Sequence, residues 1–159
     1  MTAPEPATSA PPSSAACALL RLALPTPASP ALPAFAAPAP LARHLAGPLD
    51  DDTAPVLVLS HGITDSAACW AEAGDRWSAA GYRIVALDAR GHGDSPRWDA
   101  EDLADQATAG ARLAADLETT LEDLRAHGLR PSPHAPDAGA LTATLAVVGH
   151  SMGGGTGLD

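Results

Sequence analysis

Three short apolar runs, Pro55–Ser60 (PVLVLS), Arg83–Asp88 (RIVALD) and Leu145–Val148 (LAVV), constrain this chain more than any other feature. Each is too short for a helix and too continuously apolar for a strand with one wet face, so each reads as a strand buried on both sides in a parallel sheet. Parallel neighbours need a long crossover. Ser66–Ala80 supplies the first, at helical spacing with Trp70 and Trp77 a heptad apart and Gly81 closing it. Ala111–Ala126 supplies the second: Leu113, Leu117, Leu121 and Leu124 share one face, and Asp116, Glu118, Glu122, Asp123 and Arg125 are placed on the other. His127-Gly128 ends that helix, and Leu129–Ala140, with Pro131, Pro133 and Pro136, reads as a long loop. Strands alternating with helices define the class: α/β, an open and mostly parallel sheet.

Prolines and alanines crowd the N-terminal region without helical or strand period, so residues 1–40 read as a disordered leader, with one short strand considered near Ala34–Ala37. Residues 41–159 read as the folding part, which Leu41–Ala46 enters as a strand. The run Asp50-Asp51-Asp52 is a solvated loop rather than a metal site, because adjacent carboxylates on a turn point in different directions. Net charge is −10, with nine arginines and no lysine, which argues against nucleic acid or an anionic membrane as partner. Cys17 and Cys69 lie far apart without a CxxC, so neither a disulfide framework nor a zinc site is indicated, and no cofactor is implied. The N-terminus lacks a basic segment and holds Glu5, and no apolar run is long enough to span a bilayer, so the expected compartment is the cytoplasm.

The third strand runs directly into Gly149-His150-Ser151-Met152-Gly153, the G-x-S-x-G pattern in its required setting between a buried strand and a helix. There a serine sits on a sharp turn whose strained backbone lifts the hydroxyl clear of the sheet, beside the N–H groups that open the helix. A glycine-rich turn after a strand can also bind phosphate. The residues exclude it: G-x-x-x-x-G-K-[ST] needs a lysine, and Ser151 breaks G-x-G-x-x-G. Ser151 is therefore the candidate nucleophile. Acyl transfer needs two N–H groups aimed at the developing oxyanion, one from the residue after the nucleophile and one from the loop after an earlier strand. Met152 and, in His61-Gly62-Ile63, Ile63 are those candidates, through backbone rather than side chain. His61 reads as holding this loop by hydrogen bonding, with Gly62, Gly149, His150 and Gly153 supporting the site. Asp88, His92 and Ser95 look like a triad compressed into DARGHGDS, but so short a loop cannot easily aim three side chains at one point. It reads as a structural loop beside the site.

Together HGITDSAACW (61–70), DARGHGDS (88–95) and GHSMGG (149–154) resemble the serine-nucleophile α/β-hydrolases that carry HG-x(7)-W, D-x-R-G-x-G-x-S and GHSMGG. The resemblance covers roughly Leu41–Asp159. It implies a covalent acyl-enzyme on Ser151, a histidine base oriented by an acid, a small-molecule acyl substrate and no cofactor. A serine at position 151 speaks against the dehalogenases and epoxide hydrolases of the same group. In the family the triad runs in the order serine, acid, histidine, whereas residues 152–159 hold Asp159 and no histidine. His127 and His134 precede the nucleophile. The resemblance thus implies the N-terminal portion of such an enzyme, its sheet truncated after the elbow helix, leaving LAVV as an apolar edge and the polypeptide inactive alone. Acyl transfer to an alcohol or amine, cofactor-free haloperoxidase activity on the same serine, and a non-catalytic binding protein are the competing readings. Oligomeric state and substrate identity are left open.

Overall fold

The computed structural model describes residues 38–100, 106–132 and 134–156. The expected leader up to residue 37, the strand considered at Ala34–Ala37, Cys17 and Asp159 lie outside the described residues. Four strands form one sheet: β1 Arg43–Ala46, β2 Val56–Ser60, β3 Arg83–Leu87 and β4 Leu145–Gly149, in the order β1-β3-β2-β4. β2 lies parallel to β3 and to β4, and β1 runs antiparallel to β3. The helices are α1 Ala71–Ala79, α2 Gln106–His127 and α3 Met152–Thr156.

Alternation along the strands sends side chains to two separate cores. Val56, Val58, Val85 and Leu87 pack on one face with Leu41 and with Leu117 and Leu124 of α2. Leu59, Ile84 and Ala86 pack on the other with Ala67, Trp70 and Trp77. Val56, Val58, Leu59 and Val85 are fully buried, each contributing about 1.5–3 kcal/mol by leaving water. Helices therefore cover both faces, and β2 and β3 carry the unbroken apolar runs that this demands. β4 is the outer strand of the described sheet, with one neighbour, so Leu145, Val147 and Val148 are only half-buried and Ala146 is exposed. The expectation of a third strand buried on both faces does not hold there.

Two helical expectations are corrected. The segment read as one helix from Ser66 opens instead as a 3-10 turn, Ala67–Trp70, which Ser66 caps by accepting from the Ala68 N–H at 3.3 Å. The Ala67 N–H, at the first helical position where no intrahelical acceptor exists, reaches the Asp88 carboxylate at 2.9 Å. The second correction concerns α2, where Asp116 and Asp123 are not on a solvated face. Arg112, Asp116 and Thr120, spaced by four, form a buried polar stripe beside the leucines. Asp116 takes both prongs of Arg90, at 2.6 Å from Nε and 2.8 Å from Nη2, and also accepts from the Ala39 N–H. Thr120 Oγ1 accepts from the Leu41 N–H at 2.9 Å and donates to the Asp116 carbonyl. Asp123 bridges Arg43 and Arg130, at 2.9 and 2.5 Å. Charge is tolerated here because Asp116 meets a guanidinium fork and a backbone N–H together and Asp123 meets two guanidinium groups.

Removing Asp116 would take both fork contacts from the buried Arg90 guanidinium. Asp116→Ala should cost about 3–5 kcal/mol in urea unfolding; a loss under about 1 kcal/mol would show that this pair does not anchor the fold.

Candidate active site

The site follows from the order in which the strands are laid down. From β2 the chain passes through α1 to β3 on one side, then through α2 back across β2 to β4 on the other. Strand order reverses between β2 and β4, and the carboxyl ends of the strands at such a reversal are the usual ligand position in these sheets. The parallel register pairs Ser60 with Gly149, and the His150 N–H extends the ladder to the Ser60 carbonyl at 3.1 Å. Consequently His61-Gly62-Ile63 and His150-Ser151-Met152 leave the sheet side by side.

Ser151 has φ +55°, in the left-handed region, and is the non-glycine residue with positive φ among the described residues. A side chain held there costs about 1–3 kcal/mol. The residue is exposed, so the strain presents its hydroxyl to solvent. The flanking glycines are required by close approach. A Cβ on Gly149 would stand 2.3 Å from the Gly153 carbonyl oxygen, and one on Gly153 would stand 2.3 Å from that of Ser60. A Cβ on Gly62 would lie 3.3 Å from both the Ser151 Cβ and His150 Nδ1, so the loop after β2 passes directly against the elbow.

His61 shows how that loop is held. Fully buried, it accepts from the Ala89 N–H at Nε2, 2.9 Å away, which makes Nδ1 the protonated nitrogen. Nδ1 donates to the Gly62 carbonyl at 2.7 Å, and the Asp65 N–H donates to the same oxygen at 3.1 Å. In a trans peptide the carbonyl and the following N–H point in opposite directions, so fixing the Gly62 oxygen aims the Ile63 N–H. No acceptor for that N–H, nor for that of Met152 at the start of α3, is found among the described residues.

The loop after β3 is engaged in structure. Ser95 is buried, donates to the Asp88 carbonyl at 2.5 Å and accepts from the Ala42 N–H at 2.8 Å. Asp88 accepts from Ala67 and bonds His44 Nε2 at 3.1 Å, across the sheet from Ser151's neighbours. Burial pushes the Asp88 carboxyl up, but the Ala67 N–H, the His44 ring and the Asp94 N–H outweigh it and hold the group below its ordinary 3.8. A cavity of about 430 Å³ lies beside this aspartate, between β1, β3 and α1, with His44, Trp70, Ile84 and Asp88 in its wall. Ser151, Gly62 and Ile63 do not line it. The sequence analysis did not single out His44 or the Arg90–Asp116 pair. Both partners of each contact are far apart in the chain, and no local pattern links them.

A doubly covered sheet with a strained serine between strand and helix, facing the loop of the preceding parallel strand, defines an α/β-hydrolase. More narrowly, the chain belongs to the serine aminopeptidase S33 family, whose sequence profile matches residues 51–159. It is 35% identical over 108 residues to a monoacylglycerol lipase of Mycolicibacterium smegmatis, covering 67% of this chain and 32% of that protein. It is 36% identical over 101 residues to protein phosphatase methylesterase 1 of Bos taurus, covering 63% and 22%. Among solved structures, epoxide hydrolase A of Mycobacterium thermoresistibile superposes with a TM-score of 0.50 at 28% identity, covering 72% of this chain and 28% of that one. The chain thus spans about a third or less of the length of these relatives. Among the described residues no helix is long and apolar enough to cross a membrane.

Two outcomes follow from this geometry. Gly153→Ala should cost about 2–3 kcal/mol or more, because backbone on both sides of the contact must move; unchanged urea unfolding would contradict the close approach. Asp88 ionises in the fold below its ordinary 3.8, so its stabilisation is complete above that value and is lost as pH falls through the lower, folded one. The stability gap between wild type and Asp88→Asn should be full at about pH 6 and shrink as pH falls below the ordinary carboxylate range. A gap that persists at the acid end would refute the charge as its source.

Proposed function

We propose that Ser151 is the nucleophile of a serine hydrolase acting on carboxylic esters or related acyl substrates. The observation that carries this reading is the Ser151 φ of +55° on a turn packed against Gly62. A fold does not keep a serine in that conformation for packing when a glycine would adopt it without strain. In the proposed reaction Ser151 Oγ attacks the acyl carbon, the carbonyl oxygen becomes an oxyanion, and the Ile63 and Met152 N–H groups receive it. Collapse expels the alcohol and leaves an acyl-enzyme, which water cleaves. His61, Gly62, Gly149, His150 and Gly153 shape the turn and the loop. Relatives named as a lipase and a methylesterase support an ester as substrate class. The likeness to an epoxide hydrolase bears on the fold; the serine at position 151 favours acyl chemistry over epoxide opening.

Among the described residues no histidine ring is found hydrogen-bonded to Ser151 Oγ, as a general base would be. His44 bonds Asp88, His61 bonds Gly62 and Ala89, His92 bonds Ile63, and His127 bonds Asp137. We therefore infer that the 159-residue polypeptide by itself turns over little substrate, since an elbow and oxyanion donors without a triad retain only a small part of its rate.

An excess of fluorophosphonate should add slowly and stoichiometrically to the chain, with the adduct on Ser151 by peptide mapping and absent from Ser151→Ala. Turnover of p-nitrophenyl butyrate should stay within about tenfold of that variant. Labelling at another residue, or none, would overturn the nucleophile assignment. Fast turnover that depends on Ser151 would overturn the inference of low activity.

A further inference from the structure

We propose that His92 is a positioning residue for the oxyanion loop: its ring N–H holds the Ile63 carbonyl and so keeps the Ile63 N–H turned toward Ser151. The proposal rests on the nucleophile reading of Ser151 and concerns a residue to which that reading assigns no part. His92 Nε2 lies 2.7 Å from the Ile63 carbonyl oxygen. A carbonyl only accepts, and each His92 ring nitrogen faces one, Ile63 at 2.7 Å from Nε2 and Arg90 at 3.1 Å from Nδ1; the shorter contact is where the proton is assigned, on Nε2. This contact joins the loop after β3 to the loop after β2 across 29 residues of sequence.

The side from which His92 reaches is rigid. Two residues earlier, Arg90 is buried in its fork with Asp116. The His92 N–H donates to the Ala89 carbonyl at 2.9 Å, and the Ser95 N–H donates to the His92 carbonyl at 3.1 Å. Arg97 straps the same turn from outside, donating to the carbonyls of Gly91 and Gly93 at 2.9 and 3.1 Å. The imidazole is thus presented from a framework tied to α2.

The side on which it acts needs holding. Ile63 is 66% exposed, so packing does little to set its backbone. Two peptide planes flank its α-carbon. His61 fixes the first through the Gly62 carbonyl, and His92 fixes the second through the Ile63 carbonyl. With both planes held, φ and ψ of Ile63 are determined, and so is the direction of its N–H. The two rings meet edge to face, with centroids 4.9 Å apart and planes at 71°, so the clamps brace each other. Preorganised donors are what an oxyanion site requires, because a donor that must be reoriented during the reaction loses its advantage.

The test compares the full chain with His92→Phe, which keeps a ring against His61 and removes the donor, and His92→Gln, whose amide can donate again. Amide hydrogen exchange at Asp65, whose N–H bonds the Gly62 carbonyl, should be about tenfold faster in His92→Phe, with β2 and β3 unchanged, and return to within about threefold of wild type in His92→Gln. Phosphonylation of Ser151 should slow by on the order of ten- to a hundredfold in the first variant and recover in the second. Unchanged exchange in His92→Phe would overturn the proposal, as would faster exchange with Ser151 still labelled at the wild-type rate. A wild-type chain whose Ser151 resists the probe would sink the nucleophile reading instead, and the exchange comparison would still decide whether His92 holds the loop.

Discussion

The parallel ladder between β2 and β4 sets everything at the site. It pairs Ser60 with Gly149, so two loops from distant parts of the chain emerge at the same height and on the same side. Side chains alternate with a period of two along a strand, and a slip of one residue would turn Ser151 away from Gly62. Nothing in either loop could correct such a slip. The register is held by the valines and leucines of β2, which sort themselves between two cores, and by the absence of side chains at Gly149 and Gly153, which lets the α3 turn settle onto the Ser60 carbonyl. Core packing and site geometry are the same fact seen from two ends of a strand.

Much of this was legible in the residues. Continuous apolar runs located β2 and β3 to within a residue, because a strand buried on both faces has nowhere to place a polar side chain. The elbow was legible because glycine, serine and glycine at fixed offsets answer a steric demand of the turn itself. The failures share one cause. Asp116 and Asp123 look solvent-facing on a helical wheel, yet both are drawn inward by arginines on other elements, Arg90 and Arg43. Helical periodicity reports which side of a helix is apolar. It cannot report that a cation arrives from elsewhere to make a carboxylate welcome inside. The Ala67 N–H is likewise drawn to Asp88, a partner that local sequence does not contain.

Those long-range polar contacts have a common geometry. Arg90–Asp116, Asp88–Ala67 and Thr120–Leu41 each tie a loop or entering segment to a helix, and Ser95–Ala42 ties a loop to the entering segment. The apolar cores would assemble the sheet without them, but hydrophobic contact is non-directional and leaves loop backbone free to drift. Directional bonds made in dry surroundings remove that freedom. The segment 88–95, which presents three residues suggestive of chemistry, uses them as fasteners, and its stiffness is available to whatever it touches.

Ser151 carries a consequence of a different kind. A left-handed backbone angle is free for glycine and unfavourable for serine, so the hydroxyl persists against a standing pull toward its own deletion. Glycine at that position would give a firmer protein without the hydroxyl, so the tension between stability and an exposed oxygen is lodged in a single torsion.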